Sequence, residues 1–192
     1  MKNCEQAGAI GVIMFSDPYD YAPRGVNATD VYPKTFYLPE SGIQRGSTIP
    51  VFEDPASPGW PSLDGAYRLT EEEAKKSLPK IPAQPIGYGD ARRLLEVMGG
   101  DEAPADWQGG LPGLTYKLGP GTNKKHPGWR ARIVTHNYLK DEVDDNVIGV
   151  IRGEEEPDRY VLLCNHRDAW GYGVIDPFIC FFCCHIFDGG IG

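Results

Sequence analysis

Apolar and polar residues alternate along the chain in short blocks, which predicts a mixed α/β fold made of short helices and strands. Residues 2–7 have the composition of a helix, and residues 10–15 form an apolar run that is typical of a strand. The sequence Ser16-Asp17-Pro18 predicts a turn directly after that strand. This order predicts a helix that leads into a buried strand.

A second block of helix and strand patterns lies between residues 70 and 100. Thr70 and Glu73 have the spacing of a capping box, which predicts a short helix over residues 70–76. The prolines of residues 81–89 favour an extended backbone, and Asp90 is predicted to cap a helix over residues 91–98. The inward face of this helix is predicted to carry Leu94, Leu95 and Met98.

The hydrophobic pattern in the second half of the chain predicts strands. Residues 114–118 and 129–135 are predicted to form an antiparallel pair, because polarity alternates along the second segment. Residues 146–153 and 159–164 are apolar and are separated by a predicted tight turn, so they predict a second antiparallel pair. Cys164 is predicted to lie buried in the last strand.

Composition and charge narrow the possible functions. The chain has 192 residues, with 24 glycines, 17 prolines and a net charge of −8. This charge argues against nucleic acid or an anionic membrane as the main partner. No apolar stretch approaches the roughly 20 residues of a membrane span, and no signal peptide is visible. We expect both ends to be internal to a longer parent protein.

Candidate chemistry concentrates in residues 160–177, where a histidine and two carboxylates follow an apolar run. His166, Asp168 and Asp176 are residue types that suit a zinc site. A lone His-x-Asp at the end of a strand is more often structural than metal-binding. The triplet His166-Arg167-Asp168 also occurs in kinase catalytic loops, but the asparagine that such a loop needs is replaced here by Gly173.

The longer pattern around His166 resembles a known family. His166-Arg-Asp-Ala-Trp170, followed by Gly173-Val-Ile-Asp-Pro177, is similar to the zinc-binding segment of the glutamate carboxypeptidase II (NAALADase) family. These are M28-type zinc peptidases related in fold to the transferrin receptor. The resemblance runs, with gaps, from residue 1 to Pro177.

This resemblance implies a domain organisation. Residues 1–139 would form a protease-associated-type domain that is incomplete at its N-terminus, and residues 140–177 would begin the α/β zinc peptidase core. Residues 178–192 would be an unrelated apolar tail. The implied fold class is mixed α/β, with a protease-associated-type domain followed by the first strands of an M28-like sheet.

The resemblance also implies roles for single residues. His166 would bind one of two zinc ions, Asp176 would bridge them, and Asp168 would orient the histidine. Ser47, in Gln44-Arg-Gly-Ser47, stands where the family has an asparagine that helps to bind substrate. The side chain of Ser57 and the carbonyl of Trp60 match groups that bind a structural calcium.

The implied parent function is removal of C-terminal residues from extracellular peptides by a homodimeric type II membrane protein or by a protein on the extracellular side. The chain has no glutamate after Asp176 to act as general base, so we expect it to be inactive alone and not to form that dimer. The alternative is a non-catalytic interaction module or a transferrin-receptor-like binder.

Asn27-Ala28-Thr29 is an N-glycosylation acceptor sequence, which matters if the protein is secreted.

Overall fold

The structure is a computed structural model that describes residues 1–46, 48 and 54–167. The predicted site residues Ser47, Asp168 and Asp176 lie outside the described residues, as does the predicted tail. The chain divides into two units, Met1–Thr135 and a second unit that begins at His136. Within the described ranges, no helix has the length and hydropathy needed to cross a membrane.

The first unit contains short helices and one pair of strands. They are, in chain order, α1 (Lys2–Gln6), β1 (Val12–Met14), α2 (Pro18–Tyr21), α3 (Glu71–Ala74), β2 (Ala83–Pro85) and α4 (Tyr88–Val97), with 3-10 turns at Lys75–Ser77 and Ala105–Trp107. The strands β1 and β2 pair in parallel, with Val12 opposite Ala83 and Met14 opposite Pro85. The predicted helix and strand at the start of the chain are present, but β1 is only partly buried, and Asp17-Pro18 begin α2 instead of forming the predicted turn.

Local capping signals explain where two of these helices begin. Asp17 caps α2 by accepting a hydrogen bond from the Tyr19 N–H at 2.9 Å, and Pro18 occupies the first helical position, where its missing N–H costs nothing. The capping box of α3 is confirmed. Thr70 N–H donates to the Glu73 carboxylate at 2.9 Å, and Glu73 N–H donates to the Thr70 hydroxyl at 3.3 Å.

The helix α4 begins earlier than the sequence predicts, so the prediction that Asp90 is its N-cap is wrong. The cap is Gly87, and Asp90 lies within the first turn, where a carboxylate still interacts favourably with the helix dipole. The earlier start buries Tyr88, whose side chain is 2% exposed and whose hydroxyl donates to the Leu38 carbonyl at 3.0 Å. Burial of this aromatic side chain therefore decides where the helix starts.

The predicted antiparallel pair of residues 114–118 and 129–135 is wrong. Lys117 instead forms an antiparallel bridge with Glu102. The backbone N–H of Tyr116 donates to the Gln108 side-chain oxygen at 2.8 Å, and the Gln108 amide donates to the Tyr116 carbonyl at 3.3 Å. These contacts occupy backbone groups that a partner strand would need.

The predicted strands over residues 146–153 and 159–164 are also wrong, since the described part of the second unit contains neither helix nor strand. Ile151 is 100% exposed and Val161 is 72% exposed, so these apolar residues are not packed against another layer. Cys164 is exposed and not buried. The predicted turn is confirmed, with Arg159 N–H donating to the Glu156 carbonyl at 3.1 Å.

Candidate functional site

The turn that follows β1 ties together loops that are distant in sequence. Ser16 is 3% exposed, and its hydroxyl donates to the side-chain oxygen of Gln44 at 2.9 Å. Gln44 directly precedes Arg45 and Gly46, the described part of the predicted substrate-side loop. A residue just after β1 therefore holds the side chain of Gln44 in place.

Asp17 in the same turn accepts hydrogen bonds from three donors. Besides the Tyr19 N–H, its carboxylate accepts the Gly110 N–H at 2.7 Å and the hydroxyl of Tyr116. Tyr116 lies 99 residues further along the chain. One carboxylate thus caps α2 and anchors the loop that follows the Ala105–Trp107 turn.

Tyr116 is held in its neutral form. Burial, then the hydrogen bond to Asp17 and the negative charge of Asp17, raise the pKa of its phenol above the ordinary value. An unfolded tyrosine titrates near pH ~10. Because the folded pKa is the higher one, this contact contributes stability that is complete below that pH and is lost as the pH rises through the folded pKa.

A second cluster surrounds Asp54, next to the predicted calcium residues. Its carboxylate accepts the Ser62 hydroxyl at 2.7 Å, the Ala56 N–H at 2.8 Å and the Ser57 hydroxyl at 3.2 Å. The hydrogen bond from Ser62 leads the contacts that lower the pKa of Asp54. Arg68 contributes its positive charge with a guanidinium nitrogen 3.6 Å from the carboxylate.

The described residues around Asp54 do not fit a calcium ion by themselves. Ser57 is 1% exposed, and its hydroxyl donates a hydrogen bond to the Asp54 carboxylate. The Trp60 N–H donates to the Ser57 carbonyl at 3.2 Å. Calcium requires six to eight oxygen ligands, usually with several carboxylates. The described residues bring the Arg68 guanidinium to this carboxylate, and a second cation beside it would be repelled.

His166 lies in the second unit and is exposed. Its neighbour Arg167 pairs with the carboxylate of Asp144 at 3.0 Å and donates to the Asp145 carbonyl at 3.1 Å. Arg167 therefore holds the chain immediately after His166 against the acidic segment that precedes residue 146. Both side chains of the ion pair are largely exposed, so the pair adds little to the stability of the second unit. Its main effect is to hold Arg167 next to Asp144.

Zinc is the metal that the sequence pattern implies for His166. Between residues 1 and 167, leaving out 47 and 49–53, no three His, Cys, Asp or Glu side chains cluster closely enough to hold a metal ion. The imidazole of His166 has the right chemistry for zinc, but its predicted partners Asp168 and Asp176 lie outside this range. The described residues alone do not complete a zinc centre.

The first unit also contains a half-open cleft of about 430 Å³. It lies between the paired strands, α4 and residues 121–131, and its walls are mostly apolar. The predicted inward face of α4 lines it, namely Leu94, Leu95 and Met98. Among the described residues that line the cleft there is no carboxylate or histidine, so we assign it no catalytic chemistry.

Sequence reasoning missed the carboxylates that organise these loops. The sequence marks Asp17 only as a turn residue, and its bond to Tyr116 has no sequence signal, because it joins two loops 99 residues apart. Asp54 could have been noticed from its local spacing, since it bonds to the N–H two residues later, as Asp residues in turns commonly do. Its pairing with Ser62 and Arg68 depends on tertiary structure.

Known proteins are similar to nearly all of the chain. A glutamate carboxypeptidase 2 homolog of Caenorhabditis briggsae is 51% identical over 177 residues, which is 90% of this chain and 23% of that protein. The Caenorhabditis elegans glutamate carboxypeptidase 2 homolog is 48% identical over 181 residues, 92% of this chain and 23% of that protein. No family model matches the chain.

A mammalian relative has a different name. The aminopeptidase NAALADL1 of Mus musculus is 42% identical over 178 residues, which is 91% of this chain and 24% of that protein. The chain thus spans about a quarter of the length of the curated relatives it matches.

Proposed function

We infer that the chain belongs to the glutamate carboxypeptidase II family, and we propose that it is part of a di-zinc metallopeptidase that removes C-terminal residues from extracellular peptides. One observation carries the proposal: about half of the residues are identical to the two nematode glutamate carboxypeptidase 2 homologs over some nine tenths of the chain. The chain covers about a quarter of those proteins, so the activity is proposed for a longer parent protein.

The proposed zinc ligands from this chain are His166 and Asp176. Asp168 would accept a hydrogen bond from the imidazole of His166, which fixes the orientation of a ligating histidine. When bound, a pair of zinc ions activates water and polarises the peptide carbonyl. The contribution of this chain is to deliver one imidazole and one carboxylate to that pair, close together in sequence.

Ser47 is the proposed substrate-side residue. It lies three residues after Gln44, whose side-chain oxygen accepts the hydrogen bond from Ser16. A serine hydroxyl can donate one hydrogen bond to a substrate carboxylate, where the family's asparagine would offer an amide. We expect the change to alter substrate preference more than the reaction itself.

The relatives' names are the basis for deciding whether the parent protein removes residues from the C-terminus or from the N-terminus of a peptide. The nematode and mouse relatives share the exopeptidase class, but the mouse protein is named an aminopeptidase. Identity to the nematode carboxypeptidase homologs is higher, at 51% and 48% against 42%. This difference supports removal of C-terminal residues over removal of N-terminal ones.

The 192-residue chain is proposed to be inactive when it is isolated. A catalytic zinc usually has three protein ligands and a neighbouring general base. Only His166 and Asp176 match ligand positions of the family motif, and no glutamate follows Asp176 in this sequence. The isolated chain would then supply two ligands and no base.

Calorimetric titration of zinc into the purified chain tests this ligand count. We expect no saturable binding that depends on His166, because two ligands leave the metal mostly hydrated. The matched variants are His166→Ala and His136→Ala, both at exposed histidines of the same unit. One-to-one binding that His166→Ala abolishes and His136→Ala preserves would show that the chain completes a zinc site by itself.

A further inference from the structure

We propose that Asn27 carries an N-linked glycan when the chain enters a secretory compartment. Asn27-Ala28-Thr29 has the Asn-x-Ser/Thr pattern of an acceptor, and none of the other five asparagines of the sequence has it. The proposal does not depend on peptidase chemistry. It concerns a different surface, in the first unit.

The acceptor lies on an exposed part of an anchored loop. All three acceptor residues are exposed, whereas Ala22 and Val31 on either side are 3% and 5% exposed. The Leu38 N–H donates to the Tyr21 carbonyl at 3.0 Å and so closes the loop at its base. An anchored loop with an exposed acceptor presents the asparagine to a modifying enzyme without unfolding.

The local geometry tolerates the modification. The Asp30 N–H donates to the Asn27 carbonyl at 2.9 Å and forms a turn, and the Asn27 side-chain amide donates to the Asp30 carboxylate at 2.9 Å. A primary amide has two N–H donors, and glycosylation replaces only one of them. The remaining N–H can keep its bond to Asp30, so the turn survives the modification.

The reaction is a glycosyl transfer from a lipid diphosphate-linked oligosaccharide, catalysed by the oligosaccharyltransferase of the secretory pathway. The side-chain nitrogen of Asn27 forms a bond to the anomeric carbon of the first sugar. The bond between that carbon and the diphosphate oxygen breaks, and the lipid diphosphate leaves with the bonding electrons. One amide proton passes to a base of the transferase, and no oxidation or reduction takes place.

A glycan here would shield exposed aromatic surface. Tyr32 and Phe36 belong to the same loop and are 67% and 63% exposed. Exposed apolar side chains favour association between molecules, and a bulky hydrophilic glycan opposes it. The glycan would therefore keep the aromatic loop in solution.

The test is expression of the full 192-residue chain in eukaryotic cells behind an added secretion signal. Both the secreted and the retained chains are digested with peptide:N-glycosidase, and mass spectrometry measures conversion of Asn27 to aspartate. We expect one glycan, which Asn27→Gln and Thr29→Ala abolish and Thr29→Ser retains. The exposed control Asn137→Gln should keep it.

Two results would overturn the proposal. One is an unmodified Asn27 in chains that have lost the signal peptide and have therefore entered the lumen. The other is a glycan that persists in Asn27→Gln or in Thr29→Ala, which would place the modification elsewhere. Because the modification of Asn27 is measured in retained chains as well as in secreted ones, the test gives an answer even if little protein is secreted.

Discussion

Replacing Gly100 by alanine is expected to lower the free energy of unfolding of the first unit by at least about 3 kcal/mol. Gly100 has a φ of +81°, and an added Cβ would collide with the backbone carbonyl of Gly119. The two residues form a bridge, and next to it the Gly119 N–H donates to the Gly99 carbonyl at 3.0 Å. The clash therefore falls on the backbone contact that holds the end of α4.

Gly121→Ala is the matched control for this prediction. Gly121 has a φ of +75°, close to that of Gly100, but an added Cβ would meet no atom within 4 Å. Its expected cost is the backbone penalty alone, about 1–2 kcal/mol. Hydrogen exchange of the α4 amides in the full chain measures both values. Equal losses in the two variants would mean that the approach to Gly119 is not as close as described.

Replacing Asp17 by alanine is expected to cost about 3 kcal/mol, since it removes a helix cap and leaves two further donors without their acceptor. The donors that lose it are the Gly110 N–H and the Tyr116 hydroxyl, both in the loop that this carboxylate anchors. Loss of the acceptor should release that loop. Its amides should then exchange faster than those of α4.

Asp20→Ala is the control for Asp17→Ala, because Asp20 is an exposed carboxylate in the first turn of the same helix. Its removal should change the free energy of unfolding by less than about 0.5 kcal/mol. Urea unfolding of each variant, followed by fluorescence, gives the comparison. A loss for Asp17→Ala no larger than that for Asp20→Ala would contradict the anchoring role.

The elements that could be predicted from the sequence are those whose signals are local. The capping box of Thr70 and Glu73 involves residues within one helical turn, and the structure contains it. The apolar run before Ser16 likewise predicts β1. Its parallel pairing with Ala83–Pro85 was beyond prediction, because a partner some 70 residues away leaves no periodic pattern in either segment.

The errors arise where tertiary contacts override a local pattern. Asp90 is an acceptable cap residue, but burial of Tyr88 moves the helix start to Gly87. Alternating polarity over residues 129–135 suggests a strand, yet Gln108 takes the backbone groups of Tyr116 that would have paired with it. A strand pattern predicts what a segment can do when a partner is available, and it does not supply the partner.

The candidate site also combines features that the sequence predicts with features that depend on tertiary contacts. His166 was identified by a sequence motif. Its exposed position in the second unit does not by itself indicate a metal-binding or catalytic role. The hydrogen bond from Ser16 to Gln44 was not predicted, since a serine in a turn has many possible partners. Motifs indicate which atoms can react, whereas the contacts that position them depend on the folded chain.

The most direct test of the proposed function is a chimera in which residues 1–177 of this chain replace the matching stretch of the Caenorhabditis briggsae glutamate carboxypeptidase 2 homolog. We predict zinc-dependent release of C-terminal residues from peptides, reduced to background by His166→Ala and by Asp176→Asn and unchanged by His136→Ala. A folded, zinc-loaded chimera without activity, or one that His166→Ala leaves active, would contradict the claim that this chain carries part of a peptidase zinc site.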